Sequence, residues 1–296
     1  ISNNSKVYMK KAYDSGNHCG NKYWTEKVIN AIRKQYNFGE TFLVPSCTAA
    51  LELALVSIGF KQNDEAIVPA FTWISSANVV EHLGGNVCLC DIELDTFNID
   101  INQLEKKINP KTKAIIVVHL FGLPANMDKI NQIAKKYNLF VIEDAACGFG
   151  SLYKSQHVGT LGDIGCFSFH PRKAITTGEG GMITTNSKKL ALALKSLRDH
   201  GAEISDYRRH VSNKPYALPD FPYAGYNFRM TDIQAVLGSL QMDRAKKIIN
   251  ERKKIAKFYD IRLSKLKNLD SPINNQTYQN SYQSYPCFLY KKKLNK

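Results

Sequence analysis

Seven short runs of apolar and β-branched residues recur between about residue 40 and residue 185, at 42–44, 66–68, 87–90, 114–119, 139–143, 165–169 and 182–184. Apolar residues repeat at helical spacing over 49–58, 75–83, 127–137 and 188–198. A strand that is apolar on both faces needs cover on both, and joining it to a parallel neighbour needs a crossover, which a helix supplies. The alternation therefore predicts an α/β domain, a mostly parallel seven-stranded sheet with helices on both faces. In such sheets ligands collect beyond the carboxyl ends of the strands. The residues that close each run are the first place to look for chemistry.

After the last strand-like run the pattern changes. Residues 230–266 read as one long helix, opened by Thr231-Asp232 as a capping pair. Polar text follows Leu269, then 287–290 reads as a single strand before the chain stops on Lys and Asn. The expected division is an N-terminal segment, 1–25, packing near the small domain, a large domain, 26–235, and a C-terminal part, 236–296. That last part holds the long helix and the start of a smaller α+β domain that reads as incomplete. A chain of 296 residues has room for one large domain and a smaller one.

Composition narrows the function classes. The seven cysteines are scattered and odd in number, with no CxxC pair, which fits a reducing cytoplasm better than a disulfide framework or a metal site. No basic start with an apolar stretch and small-residue cleavage site is present, and no run is long enough to span a membrane. The reading is cytoplasmic, with no membrane partner. The formal charge of +14 comes largely from scattered lysine pairs, without a basic stripe interleaved with aromatics, so nucleic acid is not expected as a partner. The excess helps to attract a small anionic molecule; a compositional bias towards Lys and Asn accounts for it equally well.

Four features stand at strand ends or helix starts. Ser46-Cys47-Thr48-Ala49-Ala50 precedes a helix, where small residues and unpaired N–H groups suit a phosphate; an ordinary N-cap is the plain alternative. Glu143-Asp144-Ala145-Ala146 closes an apolar run, and a carboxylate there needs a cation, a metal or a protonated heterocycle, or else caps the next turn. Pro69-Ala70-Phe71-Thr72-Trp73 offers an aromatic to stack on a planar ring, or simply a core aromatic. Lys173 lies between two strand-like runs that read as buried, in Ser168-Phe169-His170-Pro171-Arg172-Lys173 before the turn Thr177-Gly178-Glu179-Gly180-Gly181. It is either a surface lysine of a hairpin or an amine that bonds covalently to a carbonyl. A phosphate site, a buried carboxylate, a stacking aromatic and a lysine are the parts that hold pyridoxal 5'-phosphate. GxGxxG after the first strand, GxxxxGK[ST], GxSxG and metal-ligand histidine spacing are all absent.

With these motifs in order, and with Gly162-Asp163 and Gly225-Tyr226-Asn227-Phe228-Arg229-Met230-Thr231-Asp232, the chain resembles the DegT/DnrJ/StrS family of sugar aminotransferases. The resemblance runs from about Cys19-Gly20 to Leu266. It implies the type I fold of pyridoxal-phosphate enzymes and roles for single residues. Lys173 matches the Schiff-base lysine and proton shuttle, and Asp144 the partner of the pyridine nitrogen. Trp73 matches the stacking aromatic, Thr48 and Ala49 the phosphate-binding backbone, and Ser168 a hydroxyl donor to the phosphate. Asn227 matches a residue reaching the phosphate from the neighbouring subunit of a homodimer. Cys147 stands where Gln or His is usual beside the ring hydroxyl, and Cys47 where the phosphate turn usually has Gly. No metal is implied.

The implied reaction moves an amino group from glutamate to a keto sugar (4-keto-6-deoxy or 3-keto) on a nucleoside diphosphate. The cofactor passes through its pyridoxamine phosphate (PMP) form, and the product serves cell-surface polysaccharide, such as O-antigen, or deoxyaminosugar biosynthesis. The alternatives are a sugar dehydratase of the same fold, which has His in place of the lysine, and a non-catalytic regulatory relative. The 204–219 loop, with Arg208, Arg209 and His210, could meet a diphosphate or be merely solvated.

Overall fold

The computed structural model describes residues 4–16, 18–203 and 220–289, and places all seven predicted runs as strands of one sheet. In chain order the strands are β1 Glu40–Val44, β2 Glu65–Pro69, β3 Asn86–Cys90, β4 Thr112–Val118, β5 Phe140–Asp144, β6 Leu152–Tyr153, β7 Gln156–His157, β8 Ile164–Ser168, β9 Gly181–Thr185, β10 Leu269–Asp270, β11 Tyr278–Gln279 and β12 Phe288–Leu289. The helices are α1 Ser5–Asp14, α2 Tyr23–Tyr36, α3 Cys47–Ser57, α4 Ser75–His82, α5 Ile101–Leu104, α6 Met127–Tyr137, α7 Lys188–Leu197, α8 Asp232–Met242 and α9 Ala245–Leu263. Among the described residues no helix is long and apolar enough to cross a membrane.

The large sheet runs β1-β9-β8-β5-β4-β2-β3. The pairs from β3 through β2, β4 and β5 to β8 are parallel, and β9 is antiparallel to both of its neighbours. The exception follows from connectivity: no helix separates β8 from β9, so the chain turns straight back. Successive strand residues serve opposite faces. Ala114, Ile116, Ile142 and Ile164 join the core beneath α3, α4 and α7, while Ile115, Val117 and Val141 pack with Met127 and Ile130 of α6. Leu43, Phe167 and Met182 meet α2 and α8 through Val28, Ile32 and Val236.

The long helix predicted over 230–266 is two helices. The ladder is interrupted where Asp243 N–H still reaches Ser239 O but Arg244 N–H turns back to Gln241 O, after which α9 starts afresh. Besides Asp232, α8 buries six residues, all between Ala235 and Met242, whereas α9 buries only Ala245, Ile249 and Ala256. The two segments answer to different surroundings, and the break lets each face its own. Thr231 caps α8 as predicted, in a capping box with Gln234. Asp232, buried at 1% exposure, caps another helix: its carboxylate accepts the N–H groups of Trp24 and Thr25, both at 2.9 Å, at the start of α2. Of the strand predicted at 287–290, Phe288–Leu289 pairs with β10, and Tyr290 lies outside the described residues.

Candidate active site

β1 ends at Val44, and past Pro45 the chain enters α3 through Ser46, whose backbone is extended and whose side chain caps the helix by accepting Ala49 N–H at 3.0 Å. The cap takes Ala49's donor. The N–H groups of Cys47 and Thr48 then lead the helix with no preceding turn to receive them, at the positive end of its dipole. Gly181 explains part of the glycine run: a Cβ there would come within 2.5 Å of Ser46 C and 2.8 Å of Cys47 N. Only glycine lets β9 begin against the helix-opening turn. Ser168, nearly buried, closes the adjoining β8, and its Oγ accepts His170 N–H at 3.4 Å.

Asp144 closes β5 at 5% exposure. Its Oδ2 accepts the hydroxyl proton of fully buried Ser76 at 2.7 Å, and its Oδ1 accepts Ala146 N–H at 3.1 Å and faces Cys47 Sγ at 3.8 Å. Ser76 lies in the first turn of α4, beside Thr72 Oγ1 at 3.2 Å, and its neighbour Ser75 receives Thr48 Oγ1 at 3.1 Å. The starts of α3 and α4 thus converge on one carboxylate. Trp73 stands on the turn before α4, 75% exposed, so it is not the core aromatic of the plain alternative.

Lys173 is carried on the 169–180 connection between β8 and β9, both wholly buried strands. The connection is pinned by Phe169 N–H to Gly180 O, Thr177 N–H to Phe169 O and Lys173 N–H to His170 O. It is a hairpin in topology, yet its lysine is not a surface group: Nζ lies 3.3 Å from Cys147 Sγ, three residues beyond Asp144. Burial, then Asp144, pushes the Cys47 thiol well up. The Cys147 thiol is also raised, by burial first, with Lys173 opposing. Both stay protonated at neutral pH, so among the described residues Asp144 hydrogen-bonds only to neutral partners: a hydroxyl, an amide and a thiol. No cation among the described residues is hydrogen-bonded to this buried carboxylate, and a protonated ring nitrogen would supply one.

Glu143 points the other way. It is fully buried, and its carboxylate accepts Gly159, Leu161 and Gly162 N–H at 2.6–2.7 Å and His119 Nε2 at 2.8 Å. Because His119 Nδ1 accepts Ala125 N–H, Nε2 carries the proton and the ring is neutral. Glu143 is a structural tie and leaves no acceptor free for a ligand.

Sequence reasoning thus brings Lys173, Asp144, Cys147, Thr48 and Ala49 to one place, with Trp73 on the adjoining turn and Ser168 on the next strand. It missed Ser76. The signal was the pair of hydroxyls in Ser75-Ser76 at a helix start. Asn227 is exposed and bridges Asp199; among the described residues no hydrogen bond joins it to Asp144, Lys173 or the 46–49 turn of its own chain. Arg208, Arg209 and His210 lie outside the described residues.

The mostly parallel sheet and this group of residues define a protein of the pyridoxal-phosphate type I fold. Residues 27–296 match the DegT/DnrJ/EryC1/StrS aminotransferase family, and the chain belongs to it. It is 44% identical to a GDP-perosamine synthase of Caulobacter vibrioides over 75% of this chain and 57% of that protein. It is 37% identical to a GDP-perosamine synthase of Escherichia coli O157:H7 over 90% of this chain and 70% of that one. The chain spans 57–70% of the length of these curated relatives. A Streptococcus pneumoniae protein assigned as a sugar aminotransferase, solved in PLP and PMP forms, superposes with TM-scores of 0.87 and 0.89 at 28% identity, covering 98% of this chain and 76–77% of that one. The family's cofactor is pyridoxal phosphate, and the residues at the strand ends fit it.

Proposed function

We propose that the protein transfers an amino group from glutamate to a keto sugar carried on a nucleoside diphosphate. The observation that carries this reading is the half-buried Lys173 amine beside Cys147, in the same space as a buried Asp144 whose hydrogen-bond partners among the described residues are all neutral. When bound, pyridoxal phosphate supplies an electron-withdrawing ring to the carbon that bears the amino group, and it holds that group between the two substrates. Asp144 accepts the N–H of the ring nitrogen and keeps that proton in place. Ser76 orients the carboxylate by occupying one lone pair of Oδ2. Lys173 would hold the cofactor through its amine, and its Nζ is the group placed to accept and return a proton there.

The N–H groups leading α3, at Thr48 and Cys47, and the Ser168 hydroxyl would hold the phosphate; the Ala49 N–H, expected there too, is taken by the Ser46 cap. Trp73 covers one face of the ring and excludes water from it. Asn227 of a second copy completes the phosphate site in a homodimer. Residues 26–235 carry the cofactor, and 236–296 open the second domain. Two relatives named for making a GDP-linked sugar support the nucleoside-diphosphate carrier; the family supports the amino transfer and a cytoplasmic setting.

The test is spectroscopic. Purified protein mixed with pyridoxal phosphate should acquire the visible absorbance of a lysine-bound cofactor, and glutamate should bleach it. Lys173→Ala should show neither the band nor any turnover. Normal turnover in that variant would sink the assignment.

A further inference from the structure

Lys173 comes from the 169–180 connection and Cys147 from the turn after β5. The backbones that present them are both held by one later segment, 280–284, which follows β11. It makes three contacts. Gln283 Nε2 donates to Arg172 O at 3.1 Å. The N–H of that same Arg172–Lys173 peptide donates to His170 O at 2.9 Å, so the peptide plane is fixed at both ends. Ser281, fully buried, donates through Oγ to Cys147 O at 3.4 Å. Ser284 N–H donates to Phe121 O at 3.3 Å, and the Phe121 backbone in turn hydrogen-bonds to the Cys147 thiol. All three lead to the 3.3 Å contact between Lys173 Nζ and Cys147 Sγ.

The close approach has been bought with unusual backbone. Gly122 holds φ at +97°, and a Cβ there would come within 2.7 Å of Ser281 Oγ and 2.9 Å of Asn280 Oδ1. Phe121 and Tyr282, one on each side of the contact, hold φ at 58° and 53°. Large side chains occupy that left-handed region only where their surroundings impose it, and such strain gathers at functional sites. On its other side the segment is tied to α9: Arg252 Nη1 donates to Tyr282 O at 2.9 Å and to Gln283 O at 3.0 Å. Segment 280–284 is therefore strung between α9 and the amine.

We propose that 280–284 is a strap through which the C-terminal part of the chain sets the reactivity of the Lys173 amine, with Gln283 as the positioning residue that keeps Nζ against the Cys147 thiol. The inference rests on the reading of Lys173 as the amine that takes the cofactor. A lysine side chain is long and rotamer-rich, and a neutral thiol is a weak acceptor. The thiol cannot hold the amine by itself, so the contact lasts only while both backbones are in place. Gln283 fixes one of them; Ser281 and Ser284 fix the other. Gln283 spends its side-chain amide on Arg172 O and Ser284 Oγ, so it acts on the amine through the backbone. A shift of α9 would reach the amine by the same route, because Arg252 holds the carbonyl of Gln283 itself.

Uptake of pyridoxal phosphate by the full-length, cofactor-free protein reads the free amine, as the rate at which the visible band grows at each pH. Gln283→Leu keeps the bulk and loses the donor. It should move the pH midpoint of that rate in the same direction as Cys147→Ala, by about half a unit or more. The double variant should move it no further than Cys147→Ala alone, because two residues that act through one contact are not additive. Arg252→Lys, which replaces the guanidinium on two successive carbonyls by a point donor, should give a smaller shift of the same sign. If Gln283→Leu does not fold, Gln283→Asn, one methylene too short for Arg172 O, takes its place with the same expected result. A midpoint unmoved in Gln283→Leu or in Cys147→Ala, or shifts that add in the double variant, would overturn the strap. Band growth in Lys173→Ala would instead sink the reading of Lys173. Uptake that needs Lys173 and ignores Gln283 sinks the strap alone.

Discussion

Glu143 and Asp144 are consecutive carboxylates at the end of one strand, and they have opposite lives. The Glu143 side is closed: three backbone N–H groups from 159–162 and the neutral His119 ring use its acceptors. The Asp144 side is open: among the described residues it hydrogen-bonds only to a hydroxyl, a thiol and an amide, and Lys173, Cys147 and the start of α3 surround the space in front of it. Strand alternation sends the two side chains to different layers. The contrast shows how one strand end secures the fold and offers a reactive face at once, and it predicts that damage on the two sides will be felt in different measurements.

The sharpest separation comes from Asp144→Asn. The amide keeps the size and one acceptor but no longer favours a protonated ring nitrogen. Turnover should fall by about 10³, equivalent to roughly 4 kcal/mol of barrier, while the melting temperature and part of the cofactor binding persist. An unchanged rate would remove Asp144 from the chemistry. Glu143→Gln should do the reverse. Its –NH₂ group must face a backbone N–H or the His119 Nε2–H, leaving buried donors opposed, at a cost of about 3–5 kcal/mol. Thermal unfolding should register that loss at once, whereas cofactor absorbance per folded molecule should not change. A variant as stable as the parent would erase the distinction between the two sides.

Acid tests the closed side through His157, which neighbours the loop that feeds Glu143. Its ring packs edge-on against Tyr36 at 4.8 Å, and its buried Nδ1 has no hydrogen-bond partner among the described residues. Burial first, then the charge of Lys253, pushes its pKa down to about 4. The sign follows directly. Between the ordinary value near 6.5 and about 4, the unfolded chain binds a proton that the folded one refuses, so stability falls as pH drops through that window and then levels off. The loss is at most about 3 kcal/mol. Melting temperatures of the parent and His157→Phe from pH 7 to 4 should diverge, with the variant losing less. Parallel curves would show that His157 does not govern the acid response.

How much of this was legible without coordinates depended on range. The seven strands were legible because two-sided burial demands uninterrupted β-branched and apolar residues, as in Ile115, Ile116 and Val117. Lys173 and Asp144 were legible because a cation and a carboxylate beside buried strands are costly without partners. Ser76 was not, because its meaning lies in a 2.7 Å contact with a residue 68 positions away. Nor was the difference between Glu143 and Asp144, since the donors that close off Glu143 arrive from a later loop. The break between α8 and α9 was hidden for a related reason: helical period continues across Met242 and Ala245, and only their separate environments part them.

The smallest expected effect tests whether the open side has an internal partner besides Asp144. Cys147 Sγ accepts from Lys173 Nζ at 3.3 Å, with its thiol pushed up by burial, so the amine donates to a neutral, weak acceptor. Cys147→Ser replaces it with a stronger and smaller acceptor, and Cys147→Ala removes the acceptor altogether. If the thiol tunes the amine, the pH midpoint of the visible absorbance of the lysine-bound cofactor should move in the two variants by up to roughly one unit, about 1.4 kcal/mol. Thermal stability should shift far less than in Glu143→Gln, because the cavity left is small and no buried charge loses its partner. A midpoint fixed in both variants would leave Asp144 as the sole tuning group on that side. Cys147 would then be a small apolar residue that happens to touch the lysine.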